Sequence, residues 1–233
     1  TIIASLMVTL GDADAMICGL VGTYETHLER IHSIIGRQAD ARDYATLNAL
    51  MTNRGTLFIA DTYVNEDPTA QQLADIAWMS VQEVQRFGIP PKVAFLSHSS
   101  YGSSKRASAK KMRLARDLFV AAHPEIECDG ELHGDAALEP NIRNAYMADS
   151  TLTDSANLLI CPNLDAANIL YNVLKTTNSG GRGQDVGRGG CAHEDGAHRD
   201  AATGGGFEHV VEDVGCLQVG ADQQVGRVRQ GGG

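Results

Sequence analysis

The sequence SHSSYGSS at residues 97–104 could bind an anion. We name it the serine loop. It follows an apolar run and precedes a helix-like segment whose basic residues include Lys105, Arg106, Lys110 and Lys111. Serine hydroxyls, free backbone N–H groups at a helix start and the helix dipole all favour negative charge. The alternative is a capped helix with a solvated basic face. The candidate ligand-binding residues here are Ser97, His98, Ser99, Ser100, Gly102, Ser103 and Ser104.

Polar residues also follow the other apolar runs. Ligands of open parallel sheets bind beyond the carboxyl ends of the strands, so these residues are further candidates. They are Gly19, Gly22 and Thr23 after the first run, Asp61 after the second, and Asn163, Asp165 and Asn168 after the last.

Several kinds of catalytic and metal site are missing from the sequence. It contains no G-x-x-x-x-G-K-[ST] loop, no G-x-G-x-x-G after a strand and no G-x-S-x-G elbow. His27 and His32 are five residues apart, which does not match the spacing of a helical zinc pair. The segment DGELHGDAA places Asp129, Glu131 and Asp135 near His133, and these carboxylates either orient a ligand or cation or belong to a turn that caps the next helix. We therefore assign no catalytic and no metal-ligating residue.

The overall charge and hydropathy exclude two classes of protein. A net charge of −10 and a pI near 5.2 argue against a nucleic-acid partner, which would require clustered Lys and Arg. No apolar stretch is long enough for a membrane helix, and the first residues do not have the pattern of a signal peptide. The five cysteines form no C-x-x-C pair. We expect a soluble, cytoplasmic protein without a membrane partner.

Short apolar runs and longer helical segments alternate along the chain up to about Thr177. The runs are typical of buried parallel strands and read ADAMICG, GTLFIAD, KVAFLS, EIECDGEL and ANLLICPN. Helical periodicity covers residues 69–87, 105–122 and 166–175, and a further helix begins at about Tyr24. This alternation predicts an α/β fold with three αβα layers around a largely parallel sheet.

The segment from residue 178 to 233 differs in composition. It contains 16 of the 25 glycines and no Ile, Met, Lys, Pro, Tyr or Trp. Such a segment cannot bury enough apolar surface to offset the entropy of ordering, so we expect disorder. A natural Gly-rich tail, a real domain and a shifted reading frame are the alternatives. We accordingly divide the chain into a domain at 1–177 and a Gly-rich tail at 178–233.

Five stretches resemble, in order, successive motifs of the phosphate acetyl/butyryltransferase family. They are ADAMICGLVGTYETHLERIHSIIG, FIADTYVNEDPTAQQLADIA, GIPPKVAFLSHSSYGSS, DGELHGDAAL and DSTLTDSANLLICPNLDAANILYNVLK. They are most similar to the phosphotransacetylase-like C-terminal domain of bacterial NADP-dependent malic enzymes. The resemblance implies a fold like that of the isocitrate and isopropylmalate dehydrogenases, and it places the candidate residues along a cleft between two lobes.

The resemblance also implies a function. The family moves an acetyl group between coenzyme A and phosphate, a reaction that requires an anionic phosphate near a developing oxyanion. The Ser-Arg-Gly motif of active family members does not occur here. We therefore expect a partial, regulatory domain of a malic enzyme that binds acetyl-CoA or phosphate and builds a homo-oligomer. The conversion of malate to pyruvate and CO2, with its NADP and divalent metal, would belong to upstream domains, so no cofactor is expected in this chain. The alternatives are a phosphate acetyltransferase and a ligand-free oligomerisation module.

Overall fold

The computed structural model describes residues 1–18, 21–37, 41–52, 54–147 and 149–178. The predicted ligand residue Gly19 and the predicted tail beyond Asn178 lie outside these residues. The described residues form two compact units, one at Thr1–Tyr44 and a larger one that begins at Ala45.

The first unit contains two helices, α1 at Ile2–Leu10 and α2 at Tyr24–Ile34. The start of α2 matches the sequence prediction, and the Thr23 hydroxyl caps it by accepting a bond from the backbone N–H of Thr26. The predicted strand ADAMICG is wrong, because its described residues are irregular and Ile17 is fully exposed. A strand needs a partner ladder, and the described part of this unit contains no second strand.

The second unit is built on a five-stranded sheet with the order β1-β2-β5-β3-β4. The strands are β1 at Leu47–Thr52, β2 at Gly55–Ala60, β3 at Lys92–Leu96, β4 at Glu127–Leu132 and β5 at Leu158–Ile160. Strands β2, β5, β3 and β4 run parallel, as predicted, and β1 pairs antiparallel with β2. Strand β1 was not predicted from the sequence.

Five helices accompany this sheet. They are α3 at Ala70–Arg86, α4 at Ala107–Ala122, α5 at Gly134–Leu138, α6 at Pro140–Tyr146 and α7 at Leu164–Asn178. The three long helices confirm the helical periods of the sequence, whereas the short α5 and α6 were not predicted. No helix in the described part of the chain is long and apolar enough to cross a membrane.

The strands bury alternate residues on opposite faces, which gives the predicted three layers. On one face Phe58 and Phe95 pack against α3 and α4, and on the other Ile59 and Ala94 lie in the cluster that includes residues of α5 and α7. Helix α3 contributes a fully buried stripe of Leu73, Ile76, Ala77, Val81 and Val84. Each large side chain in it stabilises the fold by about 1.5–3 kcal/mol relative to exposure.

The bounds of α3 follow from its terminal residues. Thr69 and Gln72 form a capping box, in which each side chain accepts a bond from the backbone N–H of the other residue. The helix ends at Arg86, and the left-handed Gly88, with a φ of 73°, follows the C-cap residue Phe87. The helix with its two cap residues therefore matches the predicted range 69–87.

Candidate functional site

The carboxyl ends of the parallel strands meet at one edge of the sheet. Strand β3 leads into the serine loop, β2 into Asp61, and β5 into the turn that contains Asn163. This edge is where ligands of open α/β sheets bind. The structure thus brings most of the predicted site residues to the same edge of the second unit.

The serine loop is built around Glu131, at a bulge in β4. Phe95 pairs with Gly130 and Leu96 with Leu132, so Glu131 is an extra residue that has no partner in β3. A bulge changes which way the following side chains point. Accordingly, Cys128 belongs to the core on the α3 and α4 face, whereas Leu132 belongs to the core on the opposite face.

The buried Glu131 carboxylate accepts hydrogen bonds from the serine loop on one side and from α4 on the other. Its Oε1 accepts from the Ser99 hydroxyl at 2.6 Å and from the Gly102 N–H at 3.0 Å. On the other side, the Arg113 guanidinium of α4 donates two bonds of 2.9 Å. Burial alone would raise the pKa of this carboxyl, but the bonds from Arg113, Ser99 and Gly102 lower the pKa to about 2. Glu131 is therefore ionised at neutral pH.

The loop hydroxyls mostly bond within the loop and to the start of α5. The Ser99 and Ser103 oxygens are 3.0 Å apart, and the Ser99 oxygen also accepts from the N–H of Ser104 at 2.9 Å. The Ser100 hydroxyl accepts from the N–H of His133 at 3.0 Å, and His98 contacts the Ser104 hydroxyl at 3.2 Å. These bonds hold the loop in one shape before any ligand arrives.

Tyr101 fixes the outer side of the loop. Its φ of 49° is left-handed, which is unusual for a large side chain. Its hydroxyl donates to the buried Asp129 at 2.9 Å, and its N–H donates to the carbonyl of Glu131 at 3.0 Å. Burial, followed by the charge of Asp129, raises the pKa of Tyr101 to about 12. The tyrosine therefore remains a protonated hydrogen-bond donor.

The buried Asp61 organises the turn after β2. One carboxylate oxygen accepts from the N–H groups of Thr46, Tyr63 and Val64, and the other from the N–H of Asn65 at 2.9 Å. The Asn65 side chain and the Thr46 hydroxyl bond to it as well. These contacts explain why an aspartate ends this strand, and a ligand role for Asp61 stays a prediction.

The predicted residues after β5 lie at the start of α7. Asn163 caps this helix by accepting from the N–H of Ala166 at 3.0 Å. Asp165 is exposed in the first turn, and Asn168 donates to the carbonyl of Thr62 at 3.3 Å. Asn163 and Asn168 therefore order the two loops that flank the sheet edge, while the Asp165 carboxylate faces solvent.

The four basic residues that directly follow the serine loop divide into two groups. Lys111 is engaged, because its ammonium donates to Asp67 at 2.5 Å and to the carbonyl of Pro162 at 2.9 Å. Lys105, Arg106 and Lys110 are exposed at the start of the helix. This second group is positioned to raise the electrostatic potential next to the serine loop.

Gly22 and Thr23 belong to the first unit. Gly22 has a φ of 112°, and a Cβ there would meet the Nε2 of His27 at 3.3 Å. His27 in turn contacts the carbonyl of Val21 at 2.9 Å and the hydroxyl of Thr1 at 2.8 Å. This packing and the cap by Thr23 stabilise the start of α2, and a ligand role for both residues stays a prediction.

Sequence reasoning missed the residues that hold the loop. The sequence indicates Glu131 only as part of an acidic cluster, and it predicts no role for Arg113 and no ligand role for Tyr101. Local periodicity in the sequence cannot reveal that Arg113 has a buried partner, because Arg113 and Glu131 are 18 residues apart. Among the described residues, no group of three His, Cys, Asp or Glu side chains is arranged to hold a metal ion.

Comparison with known sequences gives a consistent result. The model of the family described as phosphate acetyl/butaryl transferase matches residues 1–182. The NADP-dependent malic enzyme of Salmonella typhimurium is 49% identical over 181 residues, which are 78% of this chain and 24% of that protein. The phosphate acetyltransferase of Corynebacterium glutamicum is 35% identical over 174 residues, which are 74% of this chain and 53% of that protein. The chain thus spans about a quarter of the malic enzyme and half of the acetyltransferase.

Comparison with solved structures agrees. The EutD phosphotransacetylase from Staphylococcus aureus superposes with a TM-score of 0.70 at 26% identity, over 75% of this chain and 54% of that structure. A phosphotransacetylase from Streptococcus pyogenes superposes with a TM-score of 0.69 at 30% identity, with the same coverage.

Proposed function

The chain belongs to the phosphate acetyl/butaryl transferase family, and we propose that it is the phosphotransacetylase-like, regulatory domain of an NADP-dependent malic enzyme. In this proposal the domain binds acetyl-CoA or phosphate and assembles into a homo-oligomer. The oxidative decarboxylation of malate to pyruvate and CO2 belongs to other domains, which would hold the NADP and the divalent metal.

The observation that carries this proposal is the serine loop at the carboxyl end of β3. Its ordered backbone leads directly into α4, whose exposed Lys105, Arg106 and Lys110 add positive charge. A phosphate group requires hydrogen-bond donors and cations of this kind. The higher identity to the malic enzyme, 49% against 35% for the acetyltransferase, supports a malic enzyme domain over a phosphate acetyltransferase.

The second candidate function is transfer of acetyl groups between coenzyme A and phosphate. The observation that favours it is the similarity to the Corynebacterium glutamicum acetyltransferase, which covers 53% of that enzyme. In that reaction the thiolate of coenzyme A attacks acetyl phosphate, and donors at the serine loop would stabilise the negative charge of the phosphate. A third candidate is an oligomerisation module that binds neither ligand.

Calorimetry on the full 233-residue chain separates these functions. Acetyl-CoA and inorganic phosphate are titrated separately, and release of phosphate from acetyl phosphate plus coenzyme A is assayed in parallel. Binding without turnover supports the regulatory function, and turnover supports the acyltransferase. An oligomer that binds neither ligand supports the third candidate and overturns the proposal.

Two matched charge variants locate the binding. Lys105→Gln removes an exposed cation next to the loop, and Lys175→Gln removes one near the far end of α7. We expect acetyl-CoA affinity to fall about threefold to tenfold for Lys105→Gln and to remain unchanged for Lys175→Gln. Ser100→Ala should also weaken binding, since it removes a loop hydroxyl at the sheet edge. Equal affinities in all variants would place the ligand elsewhere.

A further inference from the structure

We infer that Glu131 is the positioning residue of the serine loop, and that its carboxylate, held by Arg113, keeps the loop in the conformation that receives an anionic ligand. The ligand part of this inference rests on the proposed function. The positioning part rests on the contacts of Glu131 alone.

The contacts converge on one buried side chain. Side-chain exposure of Glu131 is 0%, and its oxygens accept from a hydroxyl and an N–H of the loop as well as from Arg113. The loop also returns to the backbone of the same strand, where the N–H of Ser97 donates to the carbonyl of Leu132 at 2.8 Å. The carboxylate thus lies beneath the loop and determines where Ser99 and Gly102 sit.

The charge of Glu131 is compatible with an anion site only because Arg113 is paired with it. A lone buried carboxylate would repel an anion and would be costly to desolvate. The guanidinium of Arg113 neutralises it and lies close enough to Gly102 that a Cβ there would meet its Nη2 at 3.5 Å. The pair therefore supplies acceptors for the loop without adding net negative charge beneath it.

The geometry also explains why glutamate is required. Both carboxylate oxygens accept bonds, and Arg113 donates to each of them. A glutamine oxygen can still accept from Ser99, Gly102 and the Nη2 of Arg113, but its amide NH2 would face the Nε–H of Arg113. We therefore expect the serine loop to be most ordered in the wild type, less ordered in Glu131→Gln and least ordered in Glu131→Ala.

Amide exchange of Gly102 in the full-length chain, measured by NMR, tests the positioning directly. Gly102 is exposed, so protection of its N–H would depend on the bond to Glu131. We expect Glu131→Ala to accelerate this exchange at least tenfold and Glu131→Gln to have a smaller effect, while amides in the middle of α3 keep their wild-type rates. If Glu131→Ala does not fold, Glu131→Gln provides the test, because it changes the same side chain while keeping its size.

The matched control is Glu127→Gln, in the same strand. Its carboxylate accepts from Thr153, away from the loop, so Gly102 exchange should remain as in the wild type. Equal Gly102 exchange in wild type, Glu131→Gln and Glu131→Ala would overturn the inference. If Glu131→Ala does not fold, wild-type exchange of the Gly102 amide in Glu131→Gln would overturn the inference as well.

Binding of inorganic phosphate tests the part of the inference that concerns the ligand. We expect Glu131→Gln to weaken phosphate binding about tenfold. Tighter binding would show that the carboxylate only repels anions, and it would overturn the inference. If the wild-type chain binds neither phosphate nor acetyl-CoA while Gly102 exchange still depends on Glu131, then the proposed function fails and the positioning of the loop stands.

Discussion

Gly130 of β4 lies against Phe95 of β3 so closely that it has no space for a side chain. A Cβ built on Gly130 would meet the Cβ of Phe95 at 2.8 Å and its carbonyl oxygen at 2.9 Å, and Gly130 has a φ of 149°. This contact immediately precedes Glu131, so it helps to determine where the bulge in β4 forms.

The first prediction is that Gly130→Ala is strongly destabilising. Because the clash involves backbone atoms, it can be relieved only by separating β3 from β4, and we expect a loss of about 2–4 kcal/mol. Urea unfolding followed by the fluorescence of Trp78, the single tryptophan, measures it. Gly134→Ala is the control, since a Cβ there meets nothing within 4 Å and α5 should gain slightly. Equal stability of the two variants would refute this description of the strand pair.

The second prediction concerns the Arg113 and Glu131 pair. Arg113→Met leaves a carboxylate with no exposed side-chain surface uncompensated, so we expect a loss of about 3 kcal/mol in the free energy of unfolding. Glu131→Gln in the Arg113→Met background should recover part of the loss, because no buried charge then remains unpaired.

The control for this pair is Arg54→Met. Arg54 also contacts a carboxylate, that of Glu139, but its side chain is 74% exposed. Exposed pairs contribute at most about 1 kcal/mol, so this variant should be close to wild type. If Arg113→Met is no more destabilising than Arg54→Met, the buried pair does not stabilise the loop.

The fold was largely predictable because buried parallel strands are almost continuously apolar. The runs at β2, β3 and β5 show that pattern, whereas β4 reads ECDGEL and contains three acidic residues. Strand β1 was missed because it contains the polar Asn48, which is buried and accepts a bond from the Thr62 hydroxyl. A partner of that kind is distant in sequence, so periodicity does not show it. The run at residues 13–18 was wrongly predicted as a strand, since the first unit offers it no neighbouring strand among the residues that the structure describes.

The candidate site was predictable only in its position. A loop that follows a parallel strand lies at the ligand-binding edge, so the serine loop could be identified from the sequence. Its internal support could not, because the direction of Glu131 depends on the bulge between the pairs Phe95–Gly130 and Leu96–Leu132. The letters DGEL are compatible with a regular strand, in which Glu131 would point elsewhere.

The third prediction is an acid-dependent loss of stability through Glu131. Its pKa is about 2 in the folded chain, against an ordinary value of 4.5. Because the folded-state pKa is the lower one, the unfolded chain binds more protons between these values, and stability falls as the pH falls from about 4.5 to about 2. Urea midpoints across this window should decline less steeply for Glu131→Gln than for wild type. If the urea midpoints of the two proteins decline in parallel, the Glu131 carboxyl does not contribute to the pH dependence of stability.

The fourth prediction is that Arg143 is required for stability although it lies outside the serine loop. Its side chain is fully buried, and it donates to the carbonyls of Ala136 at 3.1 Å, Leu152 at 3.1 Å and Asp154 at 2.8 Å. It therefore ties α5 to the segment that leads into β5. Arg143→Met leaves these carbonyls without a donor, and we expect a loss of about 2–4 kcal/mol.

Arg143→Lys tests whether the charge or the shape of this side chain matters. Lysine keeps the charge, but a single ammonium cannot reach carbonyls on both segments as the planar guanidinium does. We therefore expect Arg143→Lys to be nearly as destabilising as Arg143→Met in urea unfolding, whereas Arg30→Met, at an exposed position of α2, should have little effect. If Arg143→Lys is as stable as the wild type, the buried charge alone is sufficient and the several directed hydrogen bonds are not required.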